Sequence, residues 1–259
     1  MTPYPLVSDA VGVPGFEPGN LLTPSQARYQ AAPHPARYLS LMIVIPPGSN
    51  VSRTEALARL HARIRACRRC VDAGYLDRAQ PIVAGTIRDR IAIVGQAPGA
   101  VEVTTGKPFS GRAGAQLRRW LAAAGIDEAH LPYRTAITKC FPGKSAAGNG
   151  DRRPSPAEIA LCAPWLEQEL ALLRPRVILL VGTLAIERLW GKIALDAAVG
   201  RTRTASGATL IPLPHPSGTS RWLNDQAHRL LLERALAILR RAAGSLDAAA
   251  SAGKTTRRR

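Results

Sequence analysis

The feature that most restricts the fold is the alternation of short apolar runs with helical periods after residue 51. Arg90–Gly95, Tyr133–Thr138, Arg176–Gly182 and Thr209–Leu213 each carry a run of strand length. Between them, apolar residues recur at helical spacing: Leu57, Leu60 and Ile64; Leu117, Trp120, Leu121 and Ala124; Ile159, Cys162, Leu166, Leu170 and Leu173. A further helix follows Gly182 and runs through Trp190, and a last one covers Asp225–Arg241. Strands that alternate with helices pair in parallel, so the expected fold class is α/β with a parallel sheet. Ser52–Glu55 and Ser155–Glu158 match capping boxes, the second with Pro156 at the first helical position. Pro164 is expected to kink the helix that holds it.

Residues 1–50 lack this alternation. They hold nine prolines and three of the five tyrosines, and their charges cancel. A disordered or weakly ordered extension is expected there, with Met42 an alternative start. Residues 51–242 are expected to form the domain, and residues 243–259 a basic disordered tail ending in Arg257–Arg259. The 35 Lys+Arg against 18 Asp+Glu give a net charge of +17, all of it after residue 50. That excess calls for a polyanionic partner, either nucleic acid or an anionic membrane surface. The first helix is itself basic, with Arg53, Arg59, Arg63, Arg65, Arg68 and Arg69 around its apolar stripe. No apolar run approaches the ~18 residues of a spanning helix. No basic segment precedes an apolar stretch at the N-terminus, so a cytoplasmic chain with reduced thiols is expected.

Ligands of open parallel sheets bind outside the carboxyl ends of the strands. Three strand ends are unusual: Gly95-Gln-Ala-Pro-Gly99, Lys139-Cys140-Phe-Pro142 and His215-Pro-Ser217. A parallel sheet gathers all three at one edge. The first is a tight turn able to offer backbone N–H groups, but it is not the G-x-G-x-x-G of a dinucleotide site. The loop from Gly106 to Gly114 holds Phe109, which either stacks on a planar ligand or anchors the core. His215, held by Pro216, either donates a hydrogen bond to developing negative charge or is structural. His34, His61, His130 and His228 have no comparable setting, and His61, among the arginines of the first helix, is expected in solvent. The four cysteines are Cys67-x-x-Cys70, Cys140 and Cys162. One close pair plus two dispersed thiols is not the double pair of a zinc ribbon. It suits a cubane iron–sulfur cluster on four thiolates, with tetrahedral zinc or unconnected buried thiols as alternatives.

Gly95-x-Ala-Pro-Gly99, Gly106-x-Pro-Phe109-x-Gly111-Arg-Ala-Gly114, Lys139-Cys140-x-Pro142, Pro154-x-Pro-x-Glu158-Ile, Cys162-x-Pro-x-Leu166 and His215-Pro-Ser217 follow in that order. Together they resemble the iron–sulfur uracil-DNA glycosylases (family four) and their relatives over about residues 52–240. The resemblance implies one three-layer domain with a central four-stranded parallel sheet flanked by helices. It implies a [4Fe–4S] cluster on Cys67, Cys70, Cys140 and Cys162. The substrate implied is DNA containing deaminated bases, whose N-glycosidic bond is hydrolysed to initiate base excision repair. Gly95, Ala97, Pro98 and Gly99 match the turn that lies against the flipped base, Phe109 the ring that stacks on uracil, and His215 the group that polarises uracil O2. Pro216 and Ser217 match a loop that touches DNA backbone. Lys107, Arg112, Lys144 and Arg221, with Arg152 and Arg153, are further candidates for phosphate contact. The resemblance also implies a monomer working on the nucleoid, with no membrane role.

Two positions depart from the family. Its turn usually reads G-E-A-P-G, whereas this chain has Gln96, an amide that orients water but is no general base. Four residues before the third cysteine the family carries an Asn that reads the uracil edge; here stands Ala136. Losing such a reader forgoes about 1–3 kcal/mol of discrimination. The loop Gly143–Arg153 is longer than in the plain family and holds no His, so covalent capture of the sugar is not expected. Three readings stay open: a uracil-DNA glycosylase, a glycosylase for deaminated purines such as hypoxanthine or xanthine, and a DNA-binding protein that kept the fold without the catalysis.

Overall fold

The computed structural model describes residues 52–127, 131–146, 150–218 and 221–256. The extension over residues 1–50, with His34 and Met42, lies outside them, as do His130 and Arg257–Arg259. Five strands form one sheet: β1 (Ile91–Gly95), β2 (Tyr133–Ala136), β3 (Val177–Val181), β4 (Arg203–Ala205) and β5 (Ala208–Leu213), in the spatial order β2-β1-β3-β5-β4. β2, β1, β3 and β5 are mutually parallel, and they are the four strands read from the sequence. β4 corrects the expected count. It pairs antiparallel with β5 across the turn Ser206-Gly207, whose φ values of 47° and 77° match the type I′ geometry favoured in tight hairpins. β4 is short and largely exposed, so no apolar run announces it.

Helices α1 (Arg53–Arg65), α2 (Arg69–Asp72), α3 (Ala100–Thr105), α4 (Arg112–Ala123), α5 (Pro156–Leu173), α6 (Thr183–Leu189), α7 (Leu195–Ala198) and α8 (Gln226–Thr256) complete the domain. Strand residues alternate between faces, and the two cores follow that period. Ala92, Val94, Ile178, Leu180 and Leu210 pack with α1, α5 and α6, whereas Ile93, Val177, Leu179 and Ile211 pack with α4 and α8. The result is the expected helix–sheet–helix sandwich. The Ser155–Glu158 capping box closes fully, whereas Ser52 caps Glu55 N–H while the Glu55 carboxylate turns to Arg59 at 2.6 Å. α5 continues through Pro164 over 18 residues. α8 runs on to Thr256, through much of the tail expected to be disordered. Its extra turns are rich in Ala, the strongest helix former.

His61 is a second correction. It falls one turn after Leu57, on the stripe α1 presents inward, and it is buried with Nε2 2.7 Å from the Tyr133 hydroxyl. Tyr133 in turn donates to Glu169 Oε1 at 2.8 Å, so His61 Nε2 is the donor to Tyr133. Burial holds the His61 pKa below its ordinary value, consistent with a neutral ring. Thr135 donates to Glu169 Oε2 at 2.9 Å, and Lys139 Nζ lies 2.7 Å from the same oxygen. Lys139 also donates to Thr135 Oγ1 at 2.7 Å and to the Ala136 carbonyl at 2.6 Å. The Lys139 and Glu169 side chains are 1% and 0% exposed. A buried pair is tolerated only when its remaining hydrogen bonds are made, and this network makes them while tying α1, β2 and α5 together.

Glu169→Leu is therefore expected to lower stability by about 3–5 kcal/mol, because it leaves Lys139 buried without its partner. Adding Lys139→Met should restore most of the loss in urea unfolding. A double variant as unstable as the single one would contradict this account of the pair.

Candidate active site

The chain leaves β1 towards β2 on one side and later forms β3 on the other, which makes the carboxyl end of β1 a topological switch point. A cavity of about 130 Å³ opens there. Its lining includes Gly95–Gly99, Phe109, Ala136, Val181 and His215, so the ends of β1, β2, β3 and β5 all contribute. Two of the three unusual strand ends, Gly95–Gly99 and His215, line it; Lys139–Pro142 does not, and β2 reaches the cavity through Thr135 and Ala136 instead.

The turn after β1 is pinned from two sides. Ile137 and Thr138 donate their N–H groups to the Gly95 and Gln96 carbonyls at 2.9 and 3.2 Å. From α3, Glu102 Oε2 accepts from Gly99 N–H at 3.0 Å, while Oε1 accepts from Ser110 and Gly111 N–H at 2.9 and 3.0 Å. One carboxylate thus clips the turn to the loop that carries Phe109. Phe109 has a φ of 55°, and its carbonyl accepts from Arg118 at 3.1 Å. A Cβ on Gly114 would stand 1.7 Å from that carbonyl oxygen, and one on Gly95 2.8 Å from Phe109 Cζ. Glycine at both positions lets the ring lie directly against the turn. Phe109 is partly packed on the core and also walls the cavity, so both readings of it hold.

His215 follows β5 at the cavity mouth. Its Nδ1 accepts the Ser217 N–H at 3.3 Å, which leaves the ring proton of a neutral imidazole on Nε2. Desolvation holds its pKa below the ordinary histidine value, opposed by the charge of Asp151. Gly182, with φ 85°, gives the ring room: a Cβ there would stand 3.3 Å from His215 Cδ2. The site therefore gathers an imidazole N–H donor, an aromatic ring and a pinned turn around one cavity. That set can hold a flat heterocycle and stabilise negative charge on it.

The cysteines lie away from the cavity. Cys67 follows α1, Cys70 is in α2, Cys140 follows β2 and Cys162 is in α5. All four are free thiols. Burial, then the neighbouring Cys140, pushes the Cys70 thiol up to about 11, and burial pushes Cys140 to about 11 and Cys162 to about 12. Trp165 Nε1 donates to Cys67 Sγ at 3.3 Å, Lys139 N–H to Cys162 Sγ at 3.2 Å, and the Gln80 backbone to Cys140. Among the described residues, no three His, Cys, Asp or Glu side chains are grouped to hold one metal ion. A cubane cluster takes each thiolate at a separate iron, whereas tetrahedral zinc needs its ligands converged on one point.

Residues 83–238 match the family model described as the uracil DNA glycosylase superfamily. The chain belongs to the uracil-DNA glycosylase superfamily. It is 30% identical over 186 residues to the type-4 uracil-DNA glycosylase of Thermotoga maritima, covering 70% of this chain and 92% of that protein. It is 30% identical over 211 residues to the type-5 uracil-DNA glycosylase of Pyrobaculum aerophilum, covering 75% and 88%. The type-5 uracil-DNA glycosylase of Thermus thermophilus is 33% identical over 182 residues, covering 62% and 78%. This superfamily member is thus similar to proteins of both types.

The expected phosphate contacts divide. Lys107, Arg112 and Arg221 are exposed. Lys144 instead pairs with Asp151 at 2.8 Å, Arg152 with Glu158 at 2.6 Å, and Arg153 with Glu187. Pro216 is buried and Ser217 spends its N–H on His215. In the basic helix, Arg53 donates to the Leu172 and Leu173 carbonyls, and Arg63 lies over the Trp165 ring at 5.4 Å. Arg69 lies over the same ring at 4.6 Å. Three of the six arginines of that segment, Arg53, Arg63 and Arg69, thus pack α1 and α2 onto α5. Glu102, Asp151 and Gly182 line or shape the site without having been anticipated. Glu102 stands three residues after Gly99, the capping-box spacing, so a sequence signal for it exists.

Glu102→Ala should leave three backbone N–H groups without their acceptor. Hydrogen exchange at Gly99, Ser110 and Gly111 is expected to quicken together, with a stability loss of about 1–3 kcal/mol, while amides of α1 keep their protection. Quickening at only one of the three would contradict the clip.

Proposed function

We propose that this protein is a uracil-DNA glycosylase that begins base excision repair, taking a flipped uracil into the cavity and hydrolysing its N-glycosidic bond. The observation that carries the reading is His215, whose Nδ1 accepts the Ser217 N–H and so leaves Nε2 as its donor, lining a cavity with Phe109 and the Gly95–Gly99 turn. A base within a duplex is out of reach, so it must be extruded, at a cost of a few kcal/mol. Lys107, Arg112 and Arg221 supply phosphate contacts against that cost, and affinity falls steeply with salt. The base then lies between the Phe109 ring and the turn. As the glycosidic bond breaks, its electron pair moves onto the base, and His215 Nε2–H donates to the resulting anion. Gln96 orients the attacking water. Ala136 brings only a methyl group to the base edge, so base reading falls to the backbone at the end of β2. Cys67, Cys70, Cys140 and Cys162 are the residues that hold a [4Fe–4S] cluster, which when bound supplies a structural cross-link between α1–α2, the loop after β2 and α5. The reading is of a monomer acting on DNA in the cytoplasm.

Labelled oligonucleotides carrying uracil, hypoxanthine or xanthine, as single strands and in mismatched duplexes, test it. Uracil release is expected, with His215→Ala slower by roughly a hundredfold to a thousandfold. Release of a purine alone would move the reading to deaminated purines. Salt-sensitive binding with no base released would contradict catalysis.

The rate should also fall as acid protonates His215, because a proton on Nδ1 expels the Ser217 N–H and turns the ring. The midpoint is expected below the ordinary histidine value, since desolvation lowers this pKa. A rate flat across that range would contradict the neutral-donor role.

Protein purified without oxygen should carry roughly four iron atoms per chain with broad visible absorbance, lost in Cys162→Ser. A colourless protein with about one zinc would contradict the cluster.

A further inference from the structure

Among the described residues lining the cavity, two are carboxylates, Glu102 and Asp151. Glu102 has both oxygens committed to backbone N–H groups of the turn and the Phe109 loop. Asp151 is placed differently. It lies in the Gly143–Arg153 loop, which folds back on itself. Lys144 and Asp151 form an antiparallel bridge, Ser145 N–H donates to the Gly150 carbonyl at 3.0 Å, and Arg152 N–H to the Gly143 carbonyl at 3.0 Å. The loop is anchored beyond the bridge by Arg152, whose guanidinium makes two bonds, of 2.6 and 2.8 Å, to the Glu158 carboxylate at the start of α5. Lys144 Nζ holds Asp151 Oδ1 at 2.8 Å. Oδ2 is turned to the β1 turn: a Cβ on Gly99 would stand 2.9 Å from it. Asp151 and His215 both line the cavity, so they face the same space.

We propose that Asp151 is the carboxylate that activates the attacking water, supplied from the Gly143–Arg153 loop because Gln96 in the turn cannot act as a base. This rests on the glycosylase reading above. The step balances as a hydrolysis. The C1′–N bond breaks and its electron pair leaves on the base, facing His215 Nε2–H. The water oxygen bonds to C1′, and the water proton passes to Asp151 Oδ2 and then to solvent. The base anion takes a proton from solvent, leaving an abasic sugar with a C1′ hydroxyl. Until attack, the Asp151 charge also stabilises the cationic sugar. Gly99 is required because a side chain there would occupy the approach of Oδ2.

The test is single-turnover uracil release by the full chain in its metal-loaded form, comparing wild type, Asp151→Asn, Asp151→Glu and Asp151→Asn with Gln96→Glu. Asp151→Asn should slow release by about a hundredfold or more. Its dissociation constant for an oligonucleotide with 2′-fluoro-deoxyuridine, which resists cleavage, should stay within about twofold of wild type, as expected when only transition-state stabilisation is lost. Asp151→Glu should retain part of the rate, and Gln96→Glu should restore part of it in the Asp151→Asn background. A purely structural role would give neither rescue. Release by Asp151→Asn within about threefold of wild type would overturn the assignment, as would equal losses in rate and affinity. Wild-type protein that releases no base would overturn the glycosylase reading and this assignment with it. Wild-type and Asp151→Asn proteins that release uracil equally would overturn the assignment alone.

Discussion

The site depends on the clip made by Glu102. Three backbone N–H groups from two separate loops end on one carboxylate, and that junction fixes the distance between the Gly95–Gly99 turn and the Phe109 ring. The clip works because the backbone on either side has nowhere else to go. Gly95 and Gln96 are already held by the residues after β2, and Phe109 is held in a left-handed conformation by its contacts with Gly114 and Arg118. A rigid slot of this kind needs no reorganisation when charge develops on a bound base, which is where electrostatic catalysis is strongest.

Charge is distributed with a division of labour. The chain has a large basic excess, yet many of its cations are committed within the fold. Lys139 neutralises Glu169 in the interior, Arg152 braces Glu158, and Arg63 and Arg69 flank Trp165, which itself donates to Cys67. The arginines of α1 and α2 thus pack on the α5 side chain that holds Cys67. Lys107, Arg112 and Arg221 are left exposed. At the site itself the electrostatics are the reverse of the surface: a neutral imidazole donor and a carboxylate share one small space.

The parallel sheet was legible because its four strands are apolar runs at a spacing that only helical crossovers fill. The convergence of Gly95 and His215 on one cavity then follows from parallel pairing, whereas Cys140, four residues beyond β2, lies outside its lining. The burial of His61 is not legible locally, because its sequence neighbours are arginines while its hydrogen-bond partner, Tyr133 on β2, is 72 residues away. β4 leaves no signal because an edge strand needs no apolar pattern, and the end of α8 is ambiguous because an Ala-rich tail reads as low complexity as readily as helix. Glu102 carried a local signal in its spacing from Gly99. Asp151 carried none: its aim at the cavity comes from its bridge to Lys144 and the anchoring of Arg152 on Glu158, neither of which is written in a local pattern.

The central claim is that a flipped base occupies the slot between Phe109 and the turn, with its O2 at His215. Crystals of the protein with DNA holding one 2′-fluoro-deoxyuridine address it directly. The base should be found out of the stack, against the Phe109 ring, with O2 within hydrogen-bond distance of His215 Nε2 and Ser217 N–H still on Nδ1. A base left stacked in the DNA, or one seated with His215 turned so that Nδ1 faces it, would contradict the account.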